Sequence, residues 1–159
     1  MLSPKLILSP IDFSDSSLQA LEVARDLAKR YGSELLLMYV VPVIPKLPED
    51  VSIFSEESYE QQLIKNAKTR LEEMTEEVKQ AGVRARNTVG LANDTGMEIL
   101  RTAESEKADL IVIATHGMTG WRRIAFGSVT EKVVRTAECS VLVLRTTGST
   151  RFEPMAVSL

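Results

Sequence analysis

Ala114-Thr115-His116-Gly117-Met118-Thr119-Gly120-Trp121-Arg122-Arg123-Ile124-Ala125-Phe126-Gly127-Ser128 joins the chain's clearest buried-strand pattern to the start of a helix. Before it, Leu110-Ile111-Val112-Ile113 is a short, β-branched apolar run of the kind that fills a parallel strand covered on both faces. After it, Val129 to Ala137 reads as a helix. A strand that passes through a glycine-bearing loop into a helix is where α/β proteins hold anions. Glycine lets the backbone approach, and the first N–H groups of the helix point outward.

The chain has 159 residues, which suits one domain with a sizeable core. Apolar content of 44% and charged content of 26% are ordinary globular usage. The net charge of −3 lacks the basic surplus that a nucleic-acid surface needs, so nucleic acid is not an expected partner. Cys139 is the one cysteine and His116 the one histidine, which excludes an internal disulfide and argues against a metal-ligand cluster. No apolar run approaches a membrane span, and Met1 to Lys5 does not open a signal peptide. A cytoplasmic protein without a membrane partner is expected.

Working outward, Lys5 to Leu8 reads as a strand stopped by Ser9-Pro10. Ser14 suits an N-cap, followed by Leu18, Leu21, Ala24, Ala28 and Tyr31 at helical spacing, with Gly32 as the stop. Leu35 to Val41 is apolar on both faces and therefore a central strand, closed by Pro42. Pro42 to Ser58 has little periodicity and reads as a mobile loop. A longer helix then carries Tyr59, Leu63, Ala67, Leu71, Met74 and Val78 on one face and stops at Gly82.

Val83, Ala85, Asn87 and Val89 alternate with Arg84, Arg86 and Thr88, the pattern of an edge strand. Thr95 with Glu98 matches a capping box for a helix that carries Ile99, Leu100 and Ala103 inward and fades near Lys107. Val141 to Leu144 reads as a last buried strand. About five strands alternating with four helices predict a single open, mostly parallel, Rossmann-like sheet with helices on both faces. Residues 1–146 form this domain, and 147–159 read as a flexible tail.

No Gly-Lys pair exists for a Walker A loop, and the first strand is followed by Ser9-Pro10-Ile11-Asp12 rather than a GxGxxG turn. What is present is Ala114, then Gly117, then Gly127-Ser128 after a nine-residue gap. This spacing resembles the nucleotide-binding signature of the universal stress protein (UspA) family, G-x2-G-x9-G-[ST], with alanine in the first place. The resemblance runs from Lys5 to about Arg145. It includes Pro10-Ile11-Asp12-Phe13-Ser14, Ala108-Asp109-Leu110-Ile111-Val112, Gly127-Ser128-Val129-Thr130-Glu131-Lys132-Val133 and Cys139-Ser140-Val141-Leu142-Val143.

The resemblance implies an ATP-binding homodimer of the adenine nucleotide alpha hydrolase-like fold, with any Mg2+ held mainly by the phosphates. By position, Asp12 and the backbone around Pro10 and Val40 would meet the adenosine end, with Ala114 at the strand end. Gly117, Gly127, Ser128 and Val129 would hold the phosphates. Dimers of the family commonly pair through the last strand, here Val141 to Leu144.

Simpler readings stand beside these. Ser128 with Glu131 is also a capping box that needs no ligand, and Asp12 fits a plain loop or cap residue. His116 reads as loop-shaping, Arg122 and Arg123 as a solvated pair or phosphate ligands, Trp121 as a loop anchor and Cys139 as a small residue before a strand. A positive φ at position 114 would disfavour alanine. The leading functional reading is a nucleotide-binding regulatory or sensory stress-response protein rather than a dedicated enzyme. A slow ATPase or autophosphorylating protein and a nucleotide-free dimeric interaction module are the alternatives.

Overall fold

Five strands and four helices alternate in the computed structural model, which describes residues 3–43, 56–115 and 127–145, without the side chains of 56–59. The strands are β1 (Leu6–Pro10), β2 (Glu34–Val41), β3 (Arg84–Leu91), β4 (Leu110–Ala114) and β5 (Ser140–Leu144). The helices are α1 (Asp15–Tyr31), α2 (Glu56–Gln80), α3 (Thr95–Ser105) and α4 (Ser128–Thr136). All four pairings are parallel and the strand order is β3-β2-β1-β4-β5. The expected doubly wound sheet is therefore present. Within the expected Pro42 to Ser58 loop, residues 44–55 lie outside the described residues, as do Gly117, His116, Trp121, Arg122, Arg123 and the 147–159 tail.

Strict alternation along the strands sorts the core into two layers. Leu6, Leu8, Leu36, Met38, Ile111 and Ile113 face Ile99, Ala103 and Val133 of α3 and α4. Ile7, Leu35, Leu37 and Val112 face Leu21, Ala24 and Ala28 of α1 and Leu71 and Val78 of α2. Leu18 and Tyr31, which share the predicted inner face of α1, are exposed; Ala20 lies inside. Small alanines on that face let the helix approach the sheet closely. Ser14 caps α1 as expected, its Oγ accepting from the Ser17 N–H, and Gly32 ends the helix at φ 68°. At the base of the sheet, Asp109 Oδ2 accepts from the N–H groups of Lys5 at 2.7 Å and Leu6 at 2.9 Å, tying β1 to β4.

The structure differs from the sequence reading at several points, and α2 already begins at Glu56 within the expected Pro42 to Ser58 loop. β1 continues through Ser9 to Pro10 instead of stopping at Leu8. Ile11 N donates to Met38 O on β2 at 2.7 Å, so by alternation Pro10 turns its missing N–H toward β4. The β1–β4 register correspondingly closes at Leu8↔Ile111, while β4 runs on to Ala114. β5 is an edge strand, and Val141 to Leu144 are only partly buried because a single ladder and thin helix cover protect them. The cap of α3 is Asp94 rather than Thr95, with Met97 N donating to Asp94 Oδ1 at 3.0 Å.

Candidate functional site

Between the C-terminal ends of β1 and β4 the strand order reverses, since the chain winds from β1 toward β3 on one side and from β4 toward β5 on the other. Open α/β sheets bind ligands at this switch point. The gap left beyond Leu8 and Ile111 by the non-donating Pro10 opens here into a cavity of 340 Å3. Its described lining comes from the β1–α1 connection, β2, the start of α3, the end of β4 and the first turn of α4. That volume is within the range of small-molecule sites.

The lining divides by chemistry. Met38, Val40, Ile99 and Ile113 form an apolar side. Asp12, Ser17, Thr95, Thr115, Ser128 and Thr130 bring polar groups. Pro10, Asp12, Val40, Ala114, Gly127, Ser128 and Val129, seven of the residues singled out in the sequence, all line this one cavity; the eighth, Gly117, lies outside the described residues. Met38, Thr95, Ile99, Ile113, Thr115, Ser17 and Thr130 are further lining residues that sequence reasoning missed. For Met38 and Ile113, a signal existed in strand alternation with Val40 and Ile111. For Thr95 and Ile99 none did, because the approach of α3 is tertiary.

The start of α4 is fastened to the end of β4. Gly127 is its N-cap at φ −69° and ψ 157°, and as a glycine it supplies no side-chain cap bond of its own. Ser128 is therefore the first helical residue and not a cap, and the capping-box reading of Ser128 with Glu131 is not realised. Glu131 instead meets Arg135 at 3.2 Å. Gly127 N donates to Thr115 O at 2.8 Å, and a Cβ on Gly127 would meet that oxygen at 3.3 Å. The close approach of β4, and not the ordinary negative φ, is what makes a Cβ tight at this position. Thr130 Oγ1 donates to Ala114 O at 2.8 Å, and Thr115 N donates to Leu144 O at 2.9 Å. Ala114 ends β4 without positive φ, so alanine serves in place of the first glycine.

Asp12 serves the loop and the cavity together. Its Oδ1 accepts from Ser14 N at 3.0 Å and from Ser14 Oγ at 2.5 Å, which fixes the carboxylate at the pocket wall. Beneath α4, Lys132 pairs with Asp94, and this hydrogen bond holds the Asp94 carboxyl below the usual carboxylate value. That pair ties the start of α3 to α4 beside the cavity. Cys139 is half-buried, and desolvation pushes its thiol up, which suits a packing residue. Among the described residues no group of three or more acidic, histidine or cysteine side chains could hold a metal ion, and no helix is long and apolar enough to cross a membrane.

The described lining thus combines apolar side chains, the Asp12 carboxylate and the N-terminal turn of α4, whose N–H groups and positive dipole end favour anions.

Comparison with known proteins agrees with this architecture. The universal stress protein MJ0531 of Methanocaldococcus jannaschii is 39% identical over 149 residues, covering 89% of this chain and 82% of the relative. The solved structure of MJ0577 from the same organism superposes with a TM-score of 0.80 at 28% identity, covering 93% of this chain and 100% of that one. A universal stress protein from Archaeoglobus fulgidus, solved in complex with dAMP, shares the fold at 19% identity, with a TM-score of 0.62 and coverage of 90% and 98%. The sequence model of the universal stress protein family matches residues 4–145, from the foot of β1 to the end of β5, and the chain belongs to that family.

Proposed function

We propose that the protein is an ATP-binding regulatory module, in which nucleotide occupancy of the β1/β4 cavity is the signal passed to partners in a stress response. The observation that carries this reading is that the first turn of α4, entered through the side-chain-less N-cap Gly127, lines one cavity with Asp12 and with the apolar Met38, Val40, Ile99 and Ile113. The adenosine end lies along Asp12, Pro10 and Val40, and the phosphates lie at Gly127, Ser128 and Val129, with Gly117 joining from its loop. Mg2+, where it accompanies ATP, is held mainly by the phosphates.

The same reading makes the protein a homodimer through β5. Leu144 O accepts from Thr115 N, so the N–H groups of Val141 and Val143 face the open side of the sheet. An apolar edge that is unpaired among the described residues is a liability that a second copy removes. The protein works in the cytoplasm.

Purified protein is denatured, any released nucleotide is identified, and ATP with Mg2+ is titrated calorimetrically into wild type and Gly127→Val. The valine crowds Thr115 O with a Cβ at 3.3 Å and adds two methyl groups at the cavity wall. Stoichiometric ATP binding by wild type, with loss in a variant that still melts cooperatively, supports the reading. Absence of both released nucleotide and binding heat from folded wild type overturns it, leaving the nucleotide-free interaction module.

A further inference from the structure

Phe13 is where the β1–α1 connection changes sides. Asp12 lines the cavity, whereas the ring of the next residue packs in the opposite layer, with α1 and α2. Its centroid lies 4.8 Å from that of Tyr39 on β2, at an interplanar angle of 32°. The guanidinium carbon of Arg70 on α2 sits 3.9 Å from the same centroid, a cation–π distance.

The backbone makes this reversal at φ 63°, a left-handed conformation that residues with a Cβ adopt at a cost. Such a residue persists only where its surroundings over-determine it, and it commonly marks a place where geometry matters more than local comfort. Here the surroundings are Tyr39 and Arg70 on one side and, immediately downstream, Ser14, which caps α1 and donates twice to Asp12 Oδ1.

We infer that Phe13 is a positioning residue for the nucleotide site, with Arg70 acting through it. The clamped left-handed turn aims the Asp12 carboxylate into the cavity, toward the hydrogen-bond donors of adenosine. This inference rests on the adenine-nucleotide reading above. It brings α2 into the control of a pocket whose described lining contains no α2 residue.

The test is calorimetric titration of ATP into wild type, Phe13→Ala, Phe13→Gly, Arg70→Met and Asp12→Ala, with Phe13→Ala and Arg70→Met repeated on Asp12→Ala. Alanine keeps the unfavourable backbone and loses the clamp, so affinity falls by about tenfold; glycine adopts the turn freely and recovers to within about threefold of wild type. Plain loss of packing gives the reverse order, with glycine no better than alanine. Arg70→Met, at an exposed side chain, weakens ATP by about threefold with Asp12 present and leaves the Asp12→Ala protein unchanged, as coupling through one residue requires.

Glycine binding no tighter than alanine, or full additivity with Asp12→Ala, overturns the inference while leaving the nucleotide site intact. If Phe13→Ala fails to fold, the Arg70→Met cycle decides alone. Folded wild type that takes up no ATP overturns the pocket reading and the inference together.

Discussion

The hydroxyl of Thr130, itself 4% exposed, donates to the carbonyl oxygen of Ala114 at 2.8 Å, so the first turn of α4 is fastened to the end of β4. Together with the Gly127 N to Thr115 O bond, this holds the helix start against the strand that forms the floor of the cavity. The first-turn N–H groups are thereby positioned before any ligand binds, which on the proposed reading lowers the cost of ordering them around an anion.

Removing the Thr130 donor tests that fastening. Thr130→Val keeps the shape and loses the bond, leaving a buried carbonyl partner short; stability in urea falls by about 1–2 kcal/mol. ATP affinity drops by up to about tenfold as the helix start loosens. Thr130→Ser, which retains the hydroxyl, keeps most of both. A valine variant with wild-type affinity would show that the helix start needs no such tie.

The Asp94–Lys132 pair predicts an acid dependence. The folded carboxyl titrates below its ordinary value of 3.8, first because of the Lys132 hydrogen bond and then because of the Met97 N–H. A depressed carboxyl contributes stability above its unfolded value and loses it as pH falls through the folded one. Asp94→Asn keeps an N-cap acceptor but abolishes the charge. Wild type therefore melts higher than the variant at neutral pH, and the difference closes as pH drops below about 4. A gap that stays constant down to acid pH contradicts the pairing.

β5 offers a substitution that separates dimerisation from folding. Val143 directs its N–H away from β4, so Val143→Pro removes a donor from the open edge without cutting the β4–β5 ladder. Wild type sediments as a dimer at micromolar concentration and the proline variant as a monomer with unchanged far-ultraviolet circular dichroism. A monomeric wild type overturns the β5 interface.

Much of this was legible in the sequence because it is local. The apolar runs at Leu35–Val41 and Leu110–Ala114, the Ser14 cap and the Gly32 stop each follow from near neighbours, and they fix a parallel α/β sheet. Boundaries set by partners were not legible. Pro10 extends β1 because its donor-less side meets a gap, and Asp94 takes the cap of α3 while also pairing with Lys132 on another helix.

The site followed the same division. Its strand-end and glycine residues were readable from spacing, whereas Thr95 and Ile99 enter only through the packing of α3. The contact of Phe13 with Tyr39 and Arg70 joins three elements and leaves no local signal.

On the proposed reading, phosphate oxygens lie at the first turn of α4. The direct measurement is a 15N–1H correlation spectrum of the protein during ATP titration, with the amides of Ser128, Val129 and Thr130 assigned. Saturable shifts of those three amides are expected, accompanied by Asp12 and Val40, with residues of α2 distant from Arg70 unmoved. Saturable binding that shifts amides elsewhere and leaves the start of α4 untouched would contradict it.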